Sequence, residues 1–165
     1  MFTSKGYLKY HPPKEGSHWL TVECCQGIVD YYLHCLKKYE RLIVNKPAWR
    51  SHITVVRAES LLEQYQPLWG FNDGAEIDFN CLPNRIETNF RFWWIKVECP
   101  YLTELRKEFG LTKPSYSYHI TIAQIFWASL LCRCIAESSK SCEQVGHIFH
   151  TSFSFDCEGY LHRVW

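Results

Sequence analysis

Residues 51–57 read Ser-His-Ile-Thr-Val-Val-Arg, a run rich in β-branched side chains. Such side chains favour extended backbone, and the alternation of polar and apolar residues has the period of two that is typical of a strand buried on one face. Successive side chains of a strand point to opposite faces, so we expect His52 and Thr54 to lie together while Ile53 and Val55 pack into a core. The run therefore predicts a strand that presents an imidazole beside a hydroxyl.

A second His-Ile-Thr begins at position 119, within residues 118–124, which also have the composition of a strand. Both copies are preceded by the pattern W-x-x-V-E-C, at residues 19–24 and 94–99. In each case the predicted order is a strand, an amphipathic helix and then the His-Ile-Thr strand. We interpret this order as an internal repeat of two similar lobes related by a pseudo-twofold axis, which would bring the two His/Thr faces together across a cleft.

Local signals predict the remaining secondary structure. Strands are predicted at residues 19–24, 41–44, 51–57, 75–81, 90–99, 118–124 and 147–155. Helices are predicted at residues 26–40, 100–109 and 125–137. Two prolines make residues 6–13 an extended and exposed arm, and residues 58–74 form a loop with a short helix at its start.

These elements predict an α+β fold in one domain, residues 1–165. Lobe one spans about residues 17–57, lobe two spans about residues 90–124, and the segment 125–165 has no assigned role. The chain has 165 residues, of which 47% are hydrophobic and 16% aromatic. A chain of this length and composition can bury a substantial core.

The net charge limits the class of ligand. A formal charge of +1 argues against the binding of long nucleic acid, because proteins that contact many phosphates carry a broad basic surface. A small anionic ligand needs only a few local donors and stays compatible. The longest apolar run, residues 120–132, is shorter than the ~18 residues of a membrane span, so no membrane partner is expected.

The cysteines indicate a reducing compartment. Nine is an odd number, so they cannot all pair within one chain, and the first six residues lack the apolar core of a signal peptide. We therefore expect reduced thiols and a cytoplasmic location. Neither a metal nor a cofactor is expected, because the His and Cys residues near the C-terminus do not have a recognised ligand spacing; these are Cys132, Cys134, Cys142, His147, His150 and Cys157.

The two motifs supply groups suited to phosphodiester cleavage, namely His52, Thr54, His119 and Thr121. One imidazole can take the proton of the attacking oxygen, and the other can give a proton to the leaving oxygen near neutral pH. The hydroxyls can donate hydrogen bonds to the non-bridging oxygens as negative charge builds. One His-x-Thr in a strand is most often structural, whereas two in repeated units predict a catalytic tetrad.

This arrangement resembles the two-histidine phosphoesterase superfamily, which is defined by paired His-x-Ser/Thr motifs. The resemblance covers about residues 19–124. It implies a bilobal fold with antiparallel sheets around a cleft, and activity on RNA ends or on 2′-5′ oligonucleotides.

A narrower group is closer. Phage anti-CBASS nucleases, which degrade the cyclic oligonucleotide messengers of bacterial immunity, are similar at residues 6–10 (GYLKY), 46–57 (KPAWRSHITVVR), 68–70 (LWG) and 92–94 (FWW). This resemblance implies a cyclic di- or trinucleotide as substrate and the host cytoplasm as the place of action. It also makes His52, Thr54, His119 and Thr121 the catalytic tetrad.

Three aromatic residues are predicted to stack on the bases of such a ligand. Tyr10 lies on the predicted exposed arm, Trp69 precedes Gly70 in a loop, and Trp93 is expected on the face opposite to Trp94. Trp94 matches Trp19 in the repeat, and that shared position suggests packing.

The charged residues of the same strands are expected to be solvated. Strict alternation places Arg57 on the face opposite to His52 and Thr54, and Lys96 and Glu98 are interpreted as exposed strand residues.

Two alternatives stay open at this point. The chain could be an RNA-end 2′,3′-cyclic phosphodiesterase or a 2′-5′ oligoadenylate phosphodiesterase, which uses the same chemistry on another substrate. It could also be a non-catalytic nucleotide-binding sponge, although a binder does not need two titratable histidines. The sequence does not assign the base and the acid, the linkage preference or the oligomeric state.

Overall fold

The computed structural model describes residues 1–89, 91–125, 153–155 and 161–163. The chain divides into two compact units, Met1–Phe126 and Trp127–Trp165. In the second unit the described residues form two short antiparallel strands, β7 (Phe153–Phe155) and β8 (Leu161–Arg163).

The first unit is α+β and is built on one antiparallel sheet. Its strands are β1 (Phe2–Lys14), β2 (Ser17–Cys24), β3 (His52–Glu59), β4 (Glu76–Thr88), β5 (Phe92–Glu98) and β6 (His119–Gln124). They lie in the order β1-β2-β3-β6-β5-β4, and pairing of β1 with β4 closes the sheet into a barrel. The helices are α1 (Gln26–Lys38), α2 (Pro100–Glu108) and a 3-10 helix, Glu63–Leu68.

The connectivity repeats within this unit. The first half runs β1, β2, α1, β3, and the second half runs β4, β5, α2, β6. If the two halves are exchanged, the strand order of the barrel stays the same. The halves meet where β3 pairs with β6 and where β1 pairs with β4. Each half ends in a His-Ile-Thr strand, and the two halves join through these two strands, so the motifs are adjacent.

Apolar alternation places the core on one face of the sheet. Ile53 and Val55 of β3 and Ile120 and Ile122 of β6 are fully buried. Helix α2 covers part of this core through Leu102 and Leu105, among other residues, and ends before Gly110. Gly110 has φ 69°, a left-handed conformation that glycine adopts at no steric cost.

A buried arginine fastens α2 to the end of β3. The guanidinium of Arg106 donates to the carbonyl oxygen of Val55 at 2.7 Å, to the carboxylate of Glu59 at 2.7 and 2.8 Å, and to the carbonyl oxygen of Thr112 at 2.7 and 2.9 Å. The side chain of Arg106 is 2% exposed. The pKa of Glu59 lies below its usual value, chiefly because of the hydrogen bond from Arg106.

Several boundaries differ from the predictions. The arm 6–13 is extended as predicted but is not free, because it belongs to β1: residues 6–11 pair with β2, and Gly6 and Tyr7 also pair with β4. Its residues alternate between exposed and buried up to Tyr10, and Pro12 and Pro13 are exposed. Residues 41–44 are not a strand; the next residue, Asn45, forms an isolated bridge with Gln124. The short helix predicted at the start of 58–74 is a 3-10 helix.

Predictions for the C-terminal region are only partly covered. The helix predicted at 125–137 lies outside the described residues. Of the strand predicted at 147–155, the described end, Phe153–Phe155, is extended. None of the helices in the described ranges is both long enough and apolar enough to cross a membrane.

Candidate active site

The four predicted catalytic side chains share one face of the sheet. Strands β3 and β6 are antiparallel with Ile53 opposite Ile120. Both isoleucines point into the core, so the residues on either side of each isoleucine point away from it. Continuing the antiparallel register from this pair puts His52 opposite Thr121 and Thr54 opposite His119, so that the two histidines are diagonal neighbours. All four side chains are half-buried.

Both imidazoles are held in the same way. Nδ1 of His52 lies 2.7 Å from the carbonyl oxygen of Arg50, and Nδ1 of His119 lies 2.7 Å from the carbonyl oxygen of Ser117. A carbonyl oxygen can only accept, so Nδ1 carries the hydrogen in each ring. The Nε2 atom of each ring is then the one left for proton transfer, and the acceptor in each case is the carbonyl two residues earlier in the chain.

The surroundings of His119 favour its neutral form. Burial is the main cause that lowers the pKa of His119, and the positive charges of His52 and Arg57 lower it further. The carbonyl oxygen of Ser117 acts in the opposite direction. An imidazole that stays neutral near neutral pH can accept a proton, so His119 is suited to the role of general base.

A β-bulge brings Arg57 onto the same face, so the predicted face of Arg57 is wrong, although its side chain is exposed as predicted. Strand β2 pairs Thr21 with Thr54 but Leu20 with Val56, so the register shifts and Val55 is the extra residue. Val55 and Val56 are both fully buried, and Arg57 then points to the side of the histidines. Strict alternation could not predict this shift; two consecutive valines before an arginine are the only hint of it in the sequence.

Trp94, not Trp93, packs beside His119, and the ring of Tyr116 also meets His119, with centroids 6.5 Å apart. Trp93 is 8% exposed and belongs to the core, whereas Trp94 lies directly opposite Thr121 with its ring centroid 5.7 Å from that of His119. The indole Nε1 donates to Glu87 at 3.2 Å. The sequence indicates the outward position of Trp94, because Trp94 lies two residues before the charged Lys96 and so shares its face of the strand.

Lys96 also lies on the site face. It is directly opposite His119 and forms an ion pair with Glu87 at 2.6 Å. It is half-buried rather than exposed, whereas Glu98 at the end of the strand is exposed as predicted.

Tyr10 is buried, which makes its predicted exposure wrong, and Trp69 is half-buried against the core. Tyr10 is 8% exposed, because it shares the inward parity of Leu8 on β1. Its ring meets Trp69 edge to face at 4.9 Å, and burial raises its pKa. Trp69 also packs on His18 and Phe109, and its Nε1 donates to a backbone oxygen.

Metal ligands do not cluster in the part of the chain that the structure describes: no three His, Cys, Asp or Glu side chains converge there. The Cys-rich residues considered above for a metal, from 132 to 157, lie outside the described residues. Comparison with known proteins adds no relative, since no family model, curated protein or solved structure matches this chain.

Proposed function

We propose that this chain is a metal-independent phosphodiesterase in which His119 is the general base and His52 the general acid. The observation that carries the proposal is the matched pair of imidazoles. Each donates through Nδ1 to a carbonyl oxygen at 2.7 Å, and the two lie diagonally on adjacent strands with a threonine beside each. Such a pair can perform both proton transfers of the reaction.

The reaction proceeds as follows. Nε2 of His119 takes the proton from the nucleophile, a ribose 2′-hydroxyl or water, whose oxygen forms a new bond to phosphorus. The bond from phosphorus to the 5′-oxygen breaks, and the Nε2–H of a protonated His52 gives its proton to that oxygen. The hydroxyls of Thr54 and Thr121 donate to the non-bridging oxygens, and the cation of Arg57 offsets their charge.

The proposed substrate is a 3′-5′ cyclic oligonucleotide messenger, and the proposed role is to counter antiviral signalling of the CBASS type. The resemblance of residues 46–57 and 92–94 to phage anti-CBASS nucleases supports this substrate, as does the net charge of +1. The matching order of elements in the two halves supports the pseudo-twofold repeat that the same resemblance implies, although the six strands close into one barrel rather than two sheets. The described cysteines are free thiols, which is compatible with a cytoplasmic setting.

A substrate panel tests the proposal. The purified protein would be incubated in EDTA with 3′-5′ and 2′-5′ cyclic di- and trinucleotides, linear 2′-5′ oligoadenylate and an RNA ending in a 2′,3′-cyclic phosphate, with products identified by mass spectrometry. We expect cleavage of the cyclic oligonucleotides. Cleavage of only the linear or RNA substrates would move the role to the alternative phosphodiesterases. Tight binding without any product would identify a sponge.

The acid limb of the pH–rate profile should report His119. A base must be deprotonated to act, and the pKa of His119 lies below the ordinary 6.5. We therefore expect kcat/KM to rise with pH through a midpoint below 6.5 and to be fully developed on that limb at neutral pH. Arg57→Gln removes one of the charges that lower this pKa, so its acid limb should move to higher pH.

Steady-state kinetics from pH 4.5 to 8 on the cleaved substrate would measure the acid limb of wild type and of Arg57→Gln. Lys107→Gln on α2 is a matched control, because it removes a cation whose partner is the exposed Glu104. An acid limb of Arg57→Gln at the same or lower pH than wild type would contradict the assigned electrostatics.

The threonine hydroxyls should matter mainly in the transition state. Thr54→Val or Thr121→Val removes one donor at constant side-chain shape, and loss of such a donor typically lowers kcat by about 10²-fold. KM should change much less, and serine at either position should restore most of the rate. Unchanged kcat in both valine variants would exclude the hydroxyls from the mechanism.

A further inference from the structure

A hollow of about 550 Å³ opens beside His52. Its walls come from the end of β2 at Glu23 and Cys24, the start of α1 at Gln26, and the loop of residues 46–51. Pockets that hold small organic ligands have volumes of about 300–1,000 Å³, so a nucleotide fits by size.

The hollow borders the end of β3 at Ser51, next to His52. Glu23, in its wall, lies directly opposite His52 in the pairing of β2 with β3. Arg50, also in the wall, supplies the carbonyl oxygen that fixes the His52 imidazole. A ligand that places its phosphodiester at the two histidines would therefore have its next unit at the mouth of this hollow.

The wall is held in place at both ends of the loop. Asn45 and Gln124 exchange backbone hydrogen bonds at 2.7 and 2.9 Å, and the side chain of Gln124 donates to the carbonyl oxygen of Lys46 at 3.0 Å. At the other end, the backbone N–H of Ser51 donates to the side-chain oxygen of Gln26 at 3.0 Å. A wall fixed in this way lowers the entropy cost of binding.

The side chains of the wall suit a nucleotide. Trp49 is 79% exposed and offers an aromatic face to a base. Arg50 is exposed and forms no ion pair within the described ranges, so its guanidinium is available to a phosphate. Lys46 adds a second cation, although Asp30 already binds it at 2.8 Å.

We propose that this hollow is the subsite for the nucleotide that adjoins the scissile phosphodiester on the His52 side. Trp49 stacks on its base, and Arg50 contacts its other phosphate. The inference rests on the proposed function and narrows the substrate class to molecules of at least two nucleotides, cyclic or linear. A 2′,3′-cyclic mononucleotide would leave the subsite empty.

Binding measurements in the His119→Ala background test the subsite without relying on turnover. The probes are a 3′-5′ cyclic dinucleotide of adenine, one of guanine, and 2′,3′-cyclic AMP, titrated calorimetrically. Stacking of a base on an aromatic side chain is worth about 1–3 kcal/mol, so Trp49→Ala should raise the Kd of the better-bound dinucleotide by about tenfold. Trp49→Phe should retain most of the affinity, and the Kd of 2′,3′-cyclic AMP should not change.

Phe71→Ala is the matched control, since Phe71 is an aromatic residue 85% exposed that does not line the hollow. Dinucleotide affinity that is unchanged in Trp49→Ala, or lost equally for the mononucleotide, would overturn the subsite. Absence of dinucleotide binding to the protein with Trp49 intact would overturn it as well. A protein that binds through Trp49 but never cleaves would refute the proposed function and leave the subsite standing.

Discussion

His119→Ala and His52→Ala are each expected to lower kcat on a phosphodiester by about 10²–10⁴-fold, the range that a positioned general acid or base contributes. The base variant leaves the nucleophile without a proton acceptor, and the acid variant leaves the 5′-oxygen to depart as an unprotonated alkoxide. Each loss appears in kcat because both transfers belong to the transition state. Initial rates with mass-spectrometric product detection would measure it.

Folding must be unaffected for this result to count. Both histidines are half-buried and lie on the face of the sheet opposite to the core, so alanine should leave the core intact. His34→Ala is the matched control, because His34 is an exposed histidine on α1 and belongs to neither motif strand. Circular dichroism and the urea midpoint should agree among all three variants. Rates of the His52 or His119 variant that match wild type would refute the assigned pair.

The largest effect on stability is expected from Arg106→Met. Methionine keeps much of the volume but removes the hydrogen bonds to the carbonyl of Val55 and to the Glu59 carboxylate, which retains the backbone N–H of Arg57 at 3.3 Å. Breaking a buried ion pair by removing one partner costs about 3–5 kcal/mol, and the partial exposure of Glu59 places this case near the lower value. We expect the free energy of unfolding in urea to fall by about 3 kcal/mol.

The pH dependence of stability provides a second readout. The pKa of Glu59 is lowered in the folded protein, so its contribution is present above the ordinary value of 4.5 and is lost as the pH falls through the lowered pKa. Arg106→Met should therefore lose less stability than wild type on acidification below pH 4.5. Lys107→Met breaks only the exposed pair with Glu104 and should cost less than about 1 kcal/mol. Equal costs for the two substitutions would contradict the account of Arg106.

The sequence predicted the two motif strands and their inward isoleucines because period-two alternation depends only on which residues can be buried. It also predicted the order of strand, helix and strand in each half, since Pro100 and Gly110 mark the ends of α2 locally. The direct pairing of β3 with β6 is a long-range contact, and only the internal repeat indicated it.

The errors arose where the outcome depends on partners elsewhere in the chain. Tyr10 was expected to be exposed because two prolines follow it, yet β2 and the Trp69 loop cover it. Arg57 changes face because of the bulge in β3. Arg106, on helix α2, donates to the carbonyl oxygen of Val55 within that bulge. Trp93 lies in the core and Trp94 on the side of the histidines, the reverse of the prediction, although the shared parity of Trp94 and Lys96 indicates this placement.

The most direct measurement is a double-mutant cycle in EDTA on the best cleaved cyclic oligonucleotide. It compares kcat of wild type, His52→Ala, His119→Ala and the variant with both substitutions. If the histidines act as one acid–base pair on the same phosphodiester, the double variant should be about as slow as the slower single variant, because groups that act as a unit are strongly non-additive. Losses that multiply, or wild-type protein that gives no product, would contradict the central claim that the two motifs form one catalytic centre.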